Sequence, residues 1–243
     1  FGLMGKLGPE ANNALFAAGA NLYKSFGYTT AQEGKASPGS AATMEAVAKS
    51  GKLDIDVVAY PDITVGAEAM KAPWLSRSYT QHFRIGGIKL TLDGSPQGKT
   101  AWLSKPYYKV PEGQKADYHG YSAFTDEQVN GFVDQAFQKG WQVLAHANGD
   151  AAVDQFISAV RADEAKHDMA DRRPVAIHAQ TAREDQVQAL QVTVLQIFKL
   201  FAKQGAGART VAVQQGDAAV RLGFQGGLDD RQDWRDAAAR RDR

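Results

Sequence analysis

Three side chains in the sequence could together hold a metal ion: Lys89, His146 and His178. Both histidines fall where a short apolar run of strand length is expected to end, and Lys89 lies inside another such run. Neutral imidazole nitrogens suit zinc, whereas a lysine among apolar residues is costly to bury as a free ammonium. Reaction of Lys89 with carbon dioxide would give a carbamate, an anion that can bridge two metal ions. A metal so held would activate a water molecule for attack on a carbonyl carbon.

The same pattern also permits a structural interpretation. A single histidine at a strand end more often makes hydrogen bonds within the fold, and a lysine can extend its ammonium to water. Glu33 and Asp93 are expected at further strand ends. We expect Asp93 and Asp150 close to the ligands, either as hydrogen-bond partners that orient them or, for Asp150, as a helix cap.

The elements that would position these residues alternate between strand and helix. Strands are predicted near residues 28, 53, 86, 141 and 174, and helical or loop material follows each one. Ser40 is predicted to cap one helix, and Thr125 and Thr181 open segments with capping-box spacing. Five βα units predict a parallel α/β sheet, and in an α/β barrel the carboxyl ends of the strands carry the chemistry.

The segment from residue 101 to 121 is long, aromatic and interrupted by proline and glycine. Loops of this length are usually functional, so its aromatic side chains either line a substrate pocket or simply cover one end of the sheet. The nearby stretch from Gly94 to Thr100 is similar to a phosphate-binding loop. Asp93 stands where that motif requires glycine, which disfavours phosphate binding there.

Composition excludes several classes of protein. The 243 residues are 44% hydrophobic and 23% charged with a net charge of +1, so neither a nucleic acid nor a membrane surface is an expected partner. The chain has no cysteine, which excludes disulfides, a thiol nucleophile and thiolate metal ligands. No apolar run of about 20 residues and no leader pattern is present, so a cytoplasmic location is expected. The chain begins with Phe1 rather than methionine, which suggests a fragment of a longer gene product.

Three blocks, GIKLTLDGSPQGKTAWLSKPYY from residue 87, VLAHANGDAAVD from residue 143 and RPVAIHAQTAREDQ from residue 173, resemble signature blocks of amidohydrolase family 3. TTAQEG from residue 29 and LDIDVVAYP from residue 53 are also similar to family blocks. The resemblance covers roughly residues 10–190 and points to the branch similar to N-substituted formamide deformylases. It implies a TIM-type (β/α)₈ barrel with a small appended β-domain, and a zinc-dependent hydrolase that binds one or two divalent ions and cleaves C–N bonds of small amides.

The resemblance maps three metal ligands onto this sequence, Lys89, His146 and His178, and makes Glu33, Asp93, Asp150 and Gln180 candidates for ligand support or substrate contact. The family's amino-terminal His-x-His pair and its late catalytic aspartate have no counterpart here. We therefore expect a partial barrel of about five βα units without the β-domain. The alternative is a catalytically incomplete chain with no turnover of its own, which could self-associate through open barrel edges.

The sequence changes character after about residue 190. Residues 1–190 are predicted to form the partial barrel, and residues 191–243 an atypical tail, disordered or produced by a shifted reading frame. One helix could extend from Val192 to Lys203, and no sixth βα unit is expected beyond residue 205.

Overall fold

The computed structural model describes residues 7–65, 67–71, 73–169, 172–190, 210–215 and 218–223. Its helices are α1 (Pro9–Ser25), α2 (Pro38–Lys49), α3 (Asp126–Gln138) and α4 (Asp150–Glu164), with a 3₁₀ turn at Ala67–Ala69 and a further helical segment over residues 184–190. Its strands are β1 (Thr30–Ala36), β2 (Asp56–Pro61), β3 (Phe83–Ile85), β4 (Gly87–Thr91), β5 (Gln142–Ala147), β6 (Val175–His178), β7 (Thr210–Gln215) and β8 (Ala218–Gly223). No helix in these ranges is long and apolar enough to cross a membrane.

The first six strands are parallel to their neighbours and follow the chain order, as the βα rhythm predicts. β1 pairs with β2 and β2 with β3, while β4 pairs with β5 and β5 with β6. The parallel α/β architecture is therefore confirmed. The described strands do not close into a ring, because within them β1 pairs only with β2 and β6 only with β5.

The strand predicted near residue 86 is present but interrupted at Gly86, between the end of β3 and the start of β4. Before the break Ala59 pairs with Ile85, and after it an isolated bridge joins Asp62 to Lys89. Between these two pairs the chain advances by three residues along β2 and its extension, but by four residues along β3–β4. The β3–β4 side therefore carries one extra residue, as in a β-bulge. The Gly86 N–H donates to the Ala59 carbonyl at 3.0 Å, which links the two halves into one five-stranded succession.

The helices cover one face of this sheet. α3 begins with the predicted capping box, in which Thr125 and Gln128 each bond the other's backbone N–H. α2 begins earlier than predicted: Ser37 is its N-cap and Ser40 is the partner three residues into the helix.

The large side chains that are fully buried come from both layers, and include Met44, Phe83, Ile88, Leu90, Phe137 and Phe156. Burying each such side chain contributes about 1.5–3 kcal/mol, so the helices and strands depend on one another for stability.

The opposite face of the sheet holds a much smaller cluster. Val58, Tyr60 and Leu144 are buried there, with Val175 and Ile177 of β6 partly buried against them. All four residues of β6 keep intermediate exposure, in contrast to the buried middle of β5. This face, which carries the Val58, Tyr60 and Leu144 cluster and is called the inner face below, is therefore least covered at β6.

The carboxyl-terminal tail contains one element that was not predicted. β7 and β8 form an antiparallel hairpin in continuous register from Thr210↔Gly223 to Gln215↔Ala218, rather than a further βα unit. The helix predicted from Val192 to Lys203 lies outside the described residues. The division of the chain at residue 190 and the origin of the tail stay predictions.

Candidate metal centre at the strand ends

The predicted ligands lie at one edge of the sheet. In the parallel register Thr91 of β4 is opposite His146 of β5, and Ala147 of β5 is opposite His178 of β6. Lys89 lies two residues before the end of β4, and its neighbour across the sheet is Asp62, directly after β2. Three consecutive strands therefore bring their functional residues to the same carboxyl-terminal edge.

His146 and His178 are in direct contact. Their ring centroids are 4.7 Å apart in an edge-to-face arrangement. Nε2 of His146 lies 2.8 Å from the carbonyl oxygen of Gly94 and 3.1 Å from Nδ2 of Asn148. A carbonyl oxygen can only accept, so in the tautomer that satisfies Gly94 this nitrogen is the donor and Nδ1 keeps the lone pair. A backbone carbonyl that holds the second ring nitrogen in this way is typical of histidines that bind metals.

Both imidazoles are held in the neutral form. Burial lowers the pKa of His146, the hydrogen bond to Gly94 opposes this, and the positive charge of Lys89 lowers the pKa further. Burial also lowers the pKa of His178, with further lowering by His146 and Lys89. Because only a neutral imidazole can bind a metal, these shifts favour ligation near neutral pH.

His178 is also in a strained backbone conformation. Its φ angle is 71° and that of Ala179 is 46°, in the left-handed region that side chains with a Cβ seldom adopt. The N–H of Ala179 donates to the carbonyls of Ala147 and Ile177, both at 3.0 Å, which holds the chain in this turn. Such strain is concentrated at functional sites, where it fixes a side chain in place.

Lys89 is buried without a partner for its charge. The residue is 6% exposed, and its ammonium makes no hydrogen bond or ion pair with the part of the chain that the structure describes. Burial, together with the nearby charge of Lys35, lowers its pKa to about 8, although the charge of Asp62 opposes the shift. A lysine in this state has a substantial fraction of neutral, nucleophilic amine at mildly alkaline pH.

Sequence reasoning missed Asp62 and Lys35 at this edge. Oδ1 of Asp62 accepts hydrogen bonds from the N–H and hydroxyl of Thr64, and Oδ2 lies 3.4 Å from Nζ of Lys35. Burial opposes ionisation of Asp62, but these contacts outweigh it and lower its pKa. The signal was available, because Asp62 directly follows the predicted strand LDIDVVAYP.

Asp93 joins three parts of the edge through backbone contacts. Its carboxylate accepts hydrogen bonds from the N–H groups of Trp102, Asn148 and Gly149 at 2.7–3.0 Å. Oδ1 also lies 3.6 Å from Nε2 of His146. Asp93 is therefore beside His146, and it fixes the loop after β4 to the start of α4.

Asp150 does not cap a helix, so this part of the prediction is wrong. The N-cap of α4 is Gly149, and Asp150 is the first helical residue. Its carboxylate accepts from the N–H of Ser104 at 2.8 Å, from the Ser104 hydroxyl and from Nη1 of Arg183 at 2.9 Å. Burial opposes its ionisation, but these donors lower its pKa. Asp150 thus fastens the long loop to the segment after β6.

The other predicted residues make local contacts. Oε1 of Glu33 accepts from the N–H of Lys35 at 3.0 Å, and Oε1 of Gln180 accepts from Nε2 of Gln97 at 3.4 Å. Thr181 is not an N-cap, because its hydroxyl donates to the Asn148 carbonyl at 2.9 Å. The roles of Glu33 and Gln180 in support of ligands or substrate stay predictions.

The aromatic loop is braced by two of its tyrosines. Tyr107 and Tyr118 stack with ring centroids 5.9 Å apart, and their hydroxyls donate to the carbonyls of Ala101 and Lys99. Tyr108 is fully exposed and Tyr121 is largely exposed. The two stacked rings therefore have a structural role, and the exposed pair is available for contact with a ligand.

A second group of metal-binding side chains lies at the far ends of α3 and α4. Oxygens or nitrogens of Asp134, Asp163 and His167 are within 4.8 Å of one another. Nζ of Lys166 already lies 2.6 Å from Asp163, and Nε2 of His167 lies 2.7 Å from Asp134. An ammonium group therefore balances much of the negative charge that would attract a cation.

A sequence profile of the amidohydrolase family matches residues 1–197. This span is well over half of the chain, so the chain belongs to the amidohydrolase family. YtcJ of Bacillus subtilis (strain 168), an amidohydrolase by provisional name, is 31% identical over 99 residues, which are 41% of this chain and 17% of YtcJ. The predicted family is confirmed, and its formamide deformylase-like branch stays a prediction.

Two crystal structures share the fold. Each is of an uncharacterized metal-dependent hydrolase, one from Pyrococcus horikoshii OT3 and one from Pyrococcus furiosus. Both have a TM-score of 0.63 and 23% sequence identity, and both cover 77% of this chain. The match covers 36% and 37% of those proteins, so this chain spans well under half the length of its relatives.

Proposed function

We propose that this chain carries part of the metal-binding site of a hydrolase that cleaves C–N bonds in small amide- or formamide-type molecules. The observation that carries the proposal is the pair His146 and His178, in contact at the ends of adjacent strands, with the buried and unpaired Lys89 on the next strand. A histidine with only a structural role would not require a second neutral imidazole in contact with it, or a buried lysine on the neighbouring strand. The family membership of the chain supports the same assignment.

The donor set fits a divalent ion such as zinc. His146 would offer Nδ1, since Nε2 donates to Gly94, and His178 would offer a ring nitrogen that makes no hydrogen bond within the described residues. The neutral amine of Lys89 can add carbon dioxide and release a proton to give a carbamate anion, whose oxygens would be ligands for the ion. A divalent ion at this site would activate water for attack on a carbonyl carbon and stabilise the resulting negative charge.

We further propose that the five parallel strands are part of a TIM-type barrel that other polypeptide completes. The sequence contains no His-x-His pair, so ligands on an additional strand would have to come from outside these residues. A group that shuttles the proton would likewise be supplied from elsewhere, and such acid–base help is worth about 10²–10⁴ in rate. The chain alone is therefore expected to bind metal weakly and to turn over little substrate.

Metal analysis of four variants tests the site. After equilibration with zinc, Lys89→Ala, His146→Ala and His178→Ala should each lose most of the metal that the unsubstituted chain retains. His119→Ala is the matched control, because Nδ1 of His119 contacts the Leu103 carbonyl in the exposed loop, and its metal content should not change. Equal metal content in all five proteins would contradict the assignment.

Hydrolysis assays test two points separately: the class of bond that is cleaved, and whether the 243-residue chain lacks residues that catalysis needs. N-formyl and N-acyl compounds should be hydrolysed by a longer form of the protein that restores the missing ligands, and only negligibly by the 243-residue chain. Robust turnover by the chain alone would show that the absent ligands are not needed. Cleavage of esters but not amides by the longer form would reject the proposed substrate class.

A further inference from the structure

A cavity of about 500 Å³ opens at the opposite edge of the sheet, where the strands begin. Its walls are the loop before β3, the residues around the β3–β4 break, the junction between α3 and β5, and Arg173 before β6. Its volume is in the range of pockets that hold small molecules. Gln142 on its wall begins the strand that His146 nearly ends, so roughly 13 Å of strand separates the cavity from the candidate metal centre.

The lining of this cavity is strongly cationic. Arg77, Arg84, Lys139 and Arg173 all line it, and no carboxylate does so within the described part of the chain. The chain as a whole carries a net charge of only +1, so this is a local concentration of positive charge. Arg77 and Arg173 have further interactions within the chain. The argument therefore rests on Arg84 and Lys139.

Arg84 makes no ion pair within the described residues, and its nearest printed contacts are with neutral groups. Nη1 donates to the Ser76 carbonyl at 3.3 Å, and the guanidinium lies 5.0 Å from the ring centroid of Tyr79. Its Nε is buried and has no hydrogen-bond partner in the described residues. A buried donor of a charged group that has no acceptor is destabilising, and an anion that accepted its hydrogen bond would remove this cost.

Lys139 and the group of arginines around Arg77 also contribute to the positive charge of the cavity. The ammonium of Lys139 lies 4.8 Å from the ring centroid of Trp141, and it makes no ion pair within the described part of the chain. Burial lowers the pKa of Arg77, and the charges of Arg173, Arg172 and Arg84 lower it further.

We propose that this cavity binds a multivalent oxyanion, specifically the phosphate group of a small molecule. Guanidinium groups match the oxygens of phosphate through paired hydrogen bonds, and Lys139 adds a charge without geometric demands. Inorganic phosphate would fill only a small part of the volume, so a phosphomonoester with a small organic body fits the cavity better. The proposal does not depend on the function proposed for the metal centre.

Binding to the metal-free 243-residue chain tests the proposal. Calorimetry would be done with inorganic phosphate, glycerol 3-phosphate and glycerol, at an ionic strength held constant with chloride. We expect saturable binding of both phosphates, tighter binding of the phosphomonoester, and no binding of glycerol. Tighter binding of inorganic phosphate would overturn the assignment to an organic phosphate, and no saturable binding of either would overturn the site.

Variants locate the binding. Arg84→Gln should weaken it by about tenfold or more, the usual effect of losing a charge-assisted hydrogen bond, and Lys139→Gln by a smaller factor. Lys115→Gln, an exposed cation of the distant loop, is the control and should leave the affinity unchanged. If Arg84→Gln does not fold, the exposed substitution Lys139→Glu decides, since it should abolish binding. Equal weakening by Lys115→Gln would show general charge attraction and overturn the site.

Discussion

Lys89 is buried, unlike an ordinary lysine, whose ammonium is exposed to water. Burial lowers its pKa to about 8, so the folded chain disfavours the ammonium that the unfolded chain carries up to about pH 10.5. Because the folded form loses its proton first, stability rises as pH increases from about 8 to 10.5, and the full cost of burying the charge is present below pH 8.

A comparison with Lys89→Met tests this. The shift corresponds to at most about 3 kcal/mol, so the variant should be more stable than the unsubstituted chain below pH 8, and the difference should shrink towards pH 10.5. Urea unfolding of both proteins across this range gives the difference directly. A difference in unfolding free energy that is independent of pH would contradict the buried ammonium. Added bicarbonate should stabilise only the protein that has the lysine, if the carbamate forms.

Asp150 offers a second test at this scale. Asp150→Ala leaves the Ser104 N–H and Arg183 without their buried acceptor, so the free energy of unfolding should fall by about 1–3 kcal/mol. Zinc content should not change, since Asp150 fastens a loop and contacts neither histidine. Asp154→Ala is the matched control: it removes a half-exposed ion pair with the same Arg183, which is worth at most about 1 kcal/mol. Loss of zinc from Asp150→Ala would restore the predicted role in orienting ligands.

At the scale of elements, the order of strands and helices and the Thr125 cap were predicted correctly, whereas the Ser40 and Thr181 caps and the long-range contacts were not. The Thr125 capping box lies within four residues, and the order of strands and helices follows from apolar periodicity. The break at Gly86 could not be predicted, because it depends on the register with β2, which is about 26 residues away. Asp93 was expected near His146, but its three backbone donors lie 9, 55 and 56 residues along the chain, beyond any local pattern.

Gly87, just after the strand break, allows the close approach of β4 to β5 and gives a test of their packing. A Cβ on Gly87 would lie 2.1 Å from the Gln142 carbonyl oxygen, so Gly87→Ala must separate β4 from β5. We expect a loss of several kcal/mol, as for other overpacked or strained sites, together with loss of metal because Lys89 moves. Gly131→Ala in α3 is the control. Nothing lies within 4 Å of its new Cβ, so it should stabilise the chain by about 0.5–1 kcal/mol. Thermal unfolding that ranks the two variants in the opposite order would contradict this account.

At the scale of the whole molecule, the two outer strands of the parallel sheet differ in how they are protected. β1 carries Glu33 and Lys35 and is mostly polar, and charges on an edge strand discourage pairing with another chain. β6 presents Val175, Ala176 and Ile177 with intermediate exposure beside the small inner cluster. β7 approaches β6, but the two form no ladder within the described residues. The apolar edge at β6 is therefore the less protected of the two outer edges.

In isolation, this edge should cause the chain to self-associate. Burying the partly exposed side chains of β6 against a second copy gains hydrophobic free energy and satisfies unpaired strand backbone, so size-exclusion chromatography should show a mass that rises with protein concentration. Val175→Lys places a charge beside the inner cluster and should shift the protein towards monomer. Leu15→Lys is the control, because Leu15 is an exposed apolar residue of α1 and lies on no strand edge. A single monomeric species at all concentrations, or equal dissociation by both lysine variants, would show that β6 is already sufficiently covered within the chain.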